Sequence, residues 1–94
     1  MSLLYLVNQR LSSKAKSHLY QILTPSDAVL LYEDGVYTTP PENTAHSWYR
    51  FKPDCQLRGL EIPKDDTNLI KSYAEFAEIT VKYKQSLYWP KNEL

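Results

Sequence analysis

The strongest constraint in this sequence lies at its start, where Leu3 to Val7 reads LLYLV, five apolar residues with no polar alternation. A strand with one wet face alternates apolar and polar side chains, so a strand apolar on both sides belongs in the middle of a sheet covered by helices on each face. The run is too short for a signal-peptide core or a membrane span, and no basic region precedes it. Ser12 to Leu23 follows, with Ala15, Leu19, Ile22 and Leu23 on one helical stripe and Ser12 or Ser13 placed to cap its start. Thr24-Pro25-Ser26-Asp27 ends that helix, and Ala28 to Tyr32 forms a second short apolar run. Strand, helix, strand in this order predicts a right-handed parallel crossover.

Further along, Asp34-Gly35 falls at the carboxyl end of the second strand, the edge where open α/β sheets place ligands and contacts; a plain turn is the alternative. Thr38 to Thr44 reads TTPPENT, rich in turn formers, and is expected to be a loop. Ser47 to Phe51 suits a third strand, Pro53-Asp54 opens a short helical stretch that Gly59 ends, and Thr67 to Lys71 suits a fourth strand around Leu69 and Ile70. Ser72-Tyr73-Ala74-Glu75 has capping-box spacing and predicts a helix from Tyr73 to about Lys84. Its expected packing stripe is Tyr73, Phe76, Ala77, Thr80, Val81 and Tyr83. Ser86 to Trp89 is then a last strand or a contact segment. The expected fold is α/β, a small three-layer arrangement with a mainly parallel sheet of four to five short strands flanked by helices, formed by residues 1–94 as a single domain.

Several function classes are disfavoured by composition. Eleven Lys and Arg balance eleven Asp and Glu, so no net positive field draws nucleic acid or an anionic membrane, and neither is expected as a direct partner. The glycines are Gly35 and Gly59 alone, too few for a phosphate-cradling loop. No serine sits in a nucleophile elbow. His18 and His46 share no metal-binding spacing and, with one cysteine, do not make a zinc site, so no metal or cofactor is expected. The lone cysteine excludes an internal disulfide and fits a reducing cytoplasm.

Cys55 is the one candidate for catalytic chemistry. It follows Pro53-Asp54 near a helix start, where backbone amides favour a thiolate, while Asp54 beside it opposes that; a small buried filler is the other reading. Eight tyrosines and two tryptophans are a high aromatic load for this length. Tyr83, Tyr88 and Trp89 lie close together in sequence, and such side chains either anchor protein contacts or finish a small core.

The N-terminal apolar strand, the short helix, LLYEDGV at Leu30 to Val36, LRGL at Leu57 to Leu60 and FAEITVKYKQSLYW from Phe76 to Trp89 together resemble the DsrH/TusB family. The resemblance implies a fold of the DsrE/DsrF/DsrH type. It also implies a place as the smallest of three paralogous subunits in a heterohexameric sulfur-transfer complex, beside two DsrE/DsrF-type (TusD/TusC-like) partners. In bacterial tRNA modification that complex passes persulfide sulfur towards the enzyme that makes 2-thiouridine at the wobble position. The sulfur-carrying cysteine there belongs to another subunit, which implies a structural or regulatory, non-catalytic role for this chain; the aromatic residues Tyr83, Tyr88 and Trp89 and the strand-end pair Asp34 and Gly35 are the expected partner interface.

Two departures qualify the match. Tyr37 to Ser47 is short for the crossover helix of relatives. Some sulfur-oxidising relatives carry a cysteine in the first helix, where this chain has Ser17, His18, Leu19 and Tyr20, and Cys55 matches no family cysteine. The alternatives are a thiol sulfur carrier acting through Cys55 in sulfur oxidation, and a stand-alone homo-oligomeric binding module using the edge near Asp34 and Gly35. Isolated from its partners, the chain of the relay reading is expected to self-associate or to be poorly soluble.

Overall fold

The computed structural model describes residues 2–40, 46–62 and 68–89. Five strands form one sheet: β1 (Leu3–Val7), β2 (Ala28–Leu31), β3 (Ser47–Phe51), β4 (Leu69–Ile70) and β5 (Gln85–Tyr88). Their order is β4-β3-β2-β1-β5, and every neighbouring pair is parallel. Three helices, α1 (Ser13–Ile22), α2 (Lys52–Leu57) and α3 (Tyr73–Lys82), complete the α/β architecture. As their unbroken apolar character requires, β1 and β2 lie inside the sheet. Val7 and Leu31 enter one core cluster, whereas Leu4, Leu6, Ala28 and Leu30 enter another on the opposite face.

Helices α1 and α2 cover the first face, with Leu19 and Cys55 packed against Tyr5, Val7, Val29, Leu31 and Trp48. Helix α3 covers the second, where Ile79 meets Leu4, Leu6, Ala28 and Leu30, and Phe76 and Tyr83 pack beside it. The two long helices start as their sequences dictate. Ser12 Oγ accepts from the Ala15 amide at 3.1 Å, and Ser72 Oγ accepts from the Glu75 amide at 3.2 Å. The second cap is a variant of the capping box, because the Glu75 carboxylate accepts from the amide of Lys71, at 2.8 Å, one residue earlier than the usual partner.

The structure corrects two details of the sequence reading and defines a third. Helix α3 ends at Lys82, since Tyr83 is already extended and the Lys84 amide donates to Ser2 Oγ at the edge of the sheet. The packing stripe of α3 is shifted: Ile79 is its buried residue, while Tyr73 and Val81 are 75% and 83% exposed. Segment Glu33–Tyr37, with Asp34 and Gly35 inside it, is a turn of 3-10 helix, followed by Thr38 in extended conformation. The loop expected over Thr38 to Thr44 lies partly outside the described residues. No helix among the described residues is long and apolar enough to cross a membrane.

Buried Asp27 fixes the amino ends of β1 and β2. Its Oδ1 accepts from the Leu3 amide at 2.9 Å and its Oδ2 from the Thr24 amide at 2.8 Å. Burial alone would raise its pKa, but these backbone bonds and the charge of His46 outweigh it and hold the carboxyl below its ordinary value.

Candidate functional site

At the carboxyl ends of β1, β2 and β3 the two most distinctive sequence segments meet. The 3-10 turn lies so close to β1 that a β-carbon on Gly35 would sit 2.0 Å from the Val7 carbonyl oxygen; only glycine fits there. The Tyr32 amide donates to that same oxygen at 3.0 Å, and the Gly35 amide donates to Tyr32 O at 2.8 Å. Between them Glu33 takes a left-handed conformation, φ 48°, unfavourable for a residue with a side chain. Its amide is held by Asp54 Oδ2 at 2.6 Å, so the strained residue is fixed from α2.

Arg58 clamps the same region. Its Nε and Nη2 both reach Asp34 Oδ1 at 2.9 Å, while Nη1 donates to the Asp54 carbonyl at 3.2 Å and lies 3.8 Å from Asp54 Oδ1. The hydrogen bond that Arg58 donates to Asp34 is the main cause that raises the Arg58 pKa, so the guanidinium stays charged. Its plane carbon also lies 6.0 Å from the centre of the Tyr37 ring. Arg58 takes this position because α2 ends in a Schellman motif. Gly59 adopts φ 67°, its amide donates to Gln56 O at 3.1 Å, and the Leu60 amide donates to Cys55 O at 3.0 Å. Asp34 and Gly35 therefore have separate parts, with Asp34 on the rim and Gly35 buried beneath it.

Cys55 lies under this clamp and is 0% exposed. Its side chain belongs to the first-face core with Val7, Val29, Leu31 and Val36. A sulfur donor could reach its thiol only after α2 lifted from the sheet. Among the described residues no group of three or more His, Cys, Asp and Glu could hold a metal ion.

The three C-terminal aromatics have different surroundings. Tyr88 is 67% exposed on the edge strand β5. Trp89 is half-buried, with its ring edge-on to Tyr5 at 6.3 Å and to His18 at 5.4 Å, and its amide donates to Leu6 O at 2.9 Å. The Tyr83 hydroxyl meets that of Tyr49 at 3.4 Å, and its pKa is raised, by burial first and then by Tyr49. A shallow groove of about 770 Å³ runs beside α3, lined by Ile70, Ala77, Glu78 and Val81 among others, away from the Arg58 clamp.

The family model described as DsrH like protein matches residues 11–86. The chain belongs to the DsrH family. Similar curated proteins carry the name Protein TusB. That of Yersinia enterocolitica is 28% identical over 81 residues, covering 78% of this chain and 85% of the relative. That of Yersinia pestis is 30% identical over the same length, and that of Salmonella arizonae is 32% identical over 79 residues, 76% of this chain and 83% of the relative. The match to the DsrH model takes in the 3-10 turn, α2 with its Schellman turn, and α3, so the whole Asp34–Arg58 clamp lies within it.

Sequence reasoning named Asp34 and Gly35 but not Arg58 as a site residue of this DsrH-family chain. The opposite charges in EDG and LRG were the available signal; what joins them is the adjacency of β2 and β3, a long-range fact.

Proposed function

We propose that this chain is a non-catalytic, cytoplasmic subunit of a persulfide relay complex that supports 2-thiolation of the tRNA wobble uridine, in company with two paralogous DsrE/DsrF-type subunits. The observation that carries this reading is the DsrH-family match over residues 11–86, together with relatives named Protein TusB that align along most of their own length. Full burial of Cys55 supports the non-catalytic part, because a persulfide carrier must present its sulfur to donor and acceptor in turn. Balanced charge supports a role among proteins, with tRNA held elsewhere in the assembly.

In this reading the Asp34–Arg58 clamp and exposed Tyr88 are the partner-facing features, while Gly35, Tyr83 and Trp89 set the shape behind them. The first test is mass spectrometry of proteins that copurify with the tagged chain from its native host at near-physiological salt. Two small paralogues, one with a reactive cysteine, are expected; recovery of the chain alone as a stable homo-oligomer would overturn the relay reading. Cys55→Ser tests the role within the relay. Wobble-uridine thiolation should be unchanged in that variant, and its loss in a folded, complex-bound variant would make Cys55 a carrier.

A further inference from the structure

Helix α2 is held to the sheet differently from α1 and α3. It has six residues, its start lacks a side-chain cap, and Cys55 is its one buried residue. Its leucine, Leu57, is 83% exposed and contributes little to the hold. A thiol is a small apolar anchor. By contrast, α1 and α3 have ten residues each, hydroxyl caps at Ser12 and Ser72, and Leu19 and Ile79 as anchors. A short, uncapped helix with one small buried side chain belongs to the part of a fold that opens first.

Polar ties make up the difference, and they run to the 3-10 turn. Asp54 accepts from the Glu33 amide, and Arg58 reaches Asp34. On either side of α2 the chain is fixed in the core, by buried Phe51 before it and by Leu60, packed against the first-face cluster, after it. Movement is therefore confined to the stretch between them. Gly59 lies at its far end, with a positive φ and open space where a side chain would be.

We infer that α2 is a flap hinged at Phe51 and Gly59, that Arg58 is its latch, and that its opening exposes Cys55. The strained Glu33 is the spring. The bond from Asp54 that closes the flap also holds Glu33 in its left-handed conformation, so opening releases both. A group added to the exposed thiol no longer fits a site in which Cys55 is wholly buried, so the flap stays open. The state of Cys55 is thereby tied to the shape of the Asp34–Arg58 rim. The inference uses only bonds within this chain and stands whether or not the relay reading holds.

Alkylation of the full chain by iodoacetamide across a urea series, followed by intact-mass spectrometry, tests it, because Cys55 is the only thiol. Labelling through the flap should appear at low urea as a limb of shallow urea dependence, distinct from the steep limb of global unfolding. Arg58→Ala should raise the shallow limb about tenfold, and the milder Asp34→Asn about threefold, through the lost charge-assisted bonds. Glu33→Gly should lower it about two- to fivefold, since glycine accepts the left-handed conformation without strain. Ile79→Val, on the opposite face, should raise the steep limb and leave the shallow one unchanged. The alkylated chain should be cut by trypsin after Arg58 at least about fivefold faster than the unmodified chain. Wild-type labelling on the steep limb alone overturns the inference. So does a shallow limb that Arg58→Ala or Glu33→Gly leaves unchanged or that Ile79→Val raises, and so does equal tryptic cleavage of the two forms.

Discussion

The two faces of the sheet are finished to different degrees. The first carries two helices and the residues after α2, Leu60 and Ile62, and its cluster includes nine buried side chains from Tyr5 to Cys55. The second carries α3 alone. Among the described residues its cluster holds five buried side chains, with buried Phe51 edge-on to Tyr73 and Phe76 beside it, and Tyr32, Tyr49, Phe76 and Tyr83 are only partly covered. Helix α3 moreover presents Tyr73 and Val81 to solvent and borders the shallow groove. The first face buries the larger cluster under two helices, whereas the margin of the second is mostly aromatic; apolar side chains are exposed on the outer sides of both layers, Leu57 on α2 as well as Val81 on α3.

The largest expected effect tests the closure of the first face at its rim. Gly35→Ala drives a β-carbon into the Val7 carbonyl and should cost roughly 3–5 kcal/mol or prevent folding, seen as a lowered urea midpoint. The contrast between faces is measured most directly by pairing Leu19→Ala with Val81→Ala. Leu19 is wholly buried and its truncation should cost about 3 kcal/mol, whereas truncating exposed Val81 should change stability by about 0.5 kcal/mol or less. Equal losses would erase the distinction.

Asp27 ties the amino ends of the two central strands, which serve both faces. Asp27→Ala leaves the Leu3 and Thr24 amides without their acceptor and should cost about 2 kcal/mol at neutral pH. Because the folded-state pKa is lowered, this contribution is present above the unfolded value of about 3.9 and fades as pH falls through the folded value. The wild type and the variant should therefore converge in stability in strong acid.

A small effect is also expected at the hydroxyl pair on the second face. Tyr83→Phe removes a long 3.4 Å contact and should cost under about 1 kcal/mol at pH 7. Burial raises the Tyr83 pKa, so its contribution is intact below the unfolded value of about 10 and is lost as pH rises above it. The variant should accordingly show a shallower alkaline decline in thermal midpoint than the wild type.

Much of the fold was legible because local signals agreed with the global one. The unbroken LLYLV run placed β1 inside a parallel sheet, and the hydroxyls of Ser12 and Ser72 marked both helix starts. Helix α3 shows where such signals lose phase. Tyr73, Ala77 and Val81 make an apolar line at four-residue spacing, Phe76, Ile79 and Tyr83 make another, and composition cannot say which faces the sheet. The candidate site was half legible. Asp34-Gly35 lay at the expected strand end, but the need for glycine there comes from Val7, and the partner of Asp34 comes from a helix that follows another strand. Both are contacts between residues more than twenty positions apart, which no local pattern encodes.

The position of β5 beside β1 also affects how the chain is made. Leaving the ribosome from its amino end, the chain can lay β2 against β1 early, but the other side of β1 waits for the last strand, and the bond from Lys84 to Ser2 closes a span of 82 residues. Until β5 has been made, that side of β1 is a bare apolar edge, so the nascent chain depends on Gln85–Tyr88 to shield Leu3–Val7.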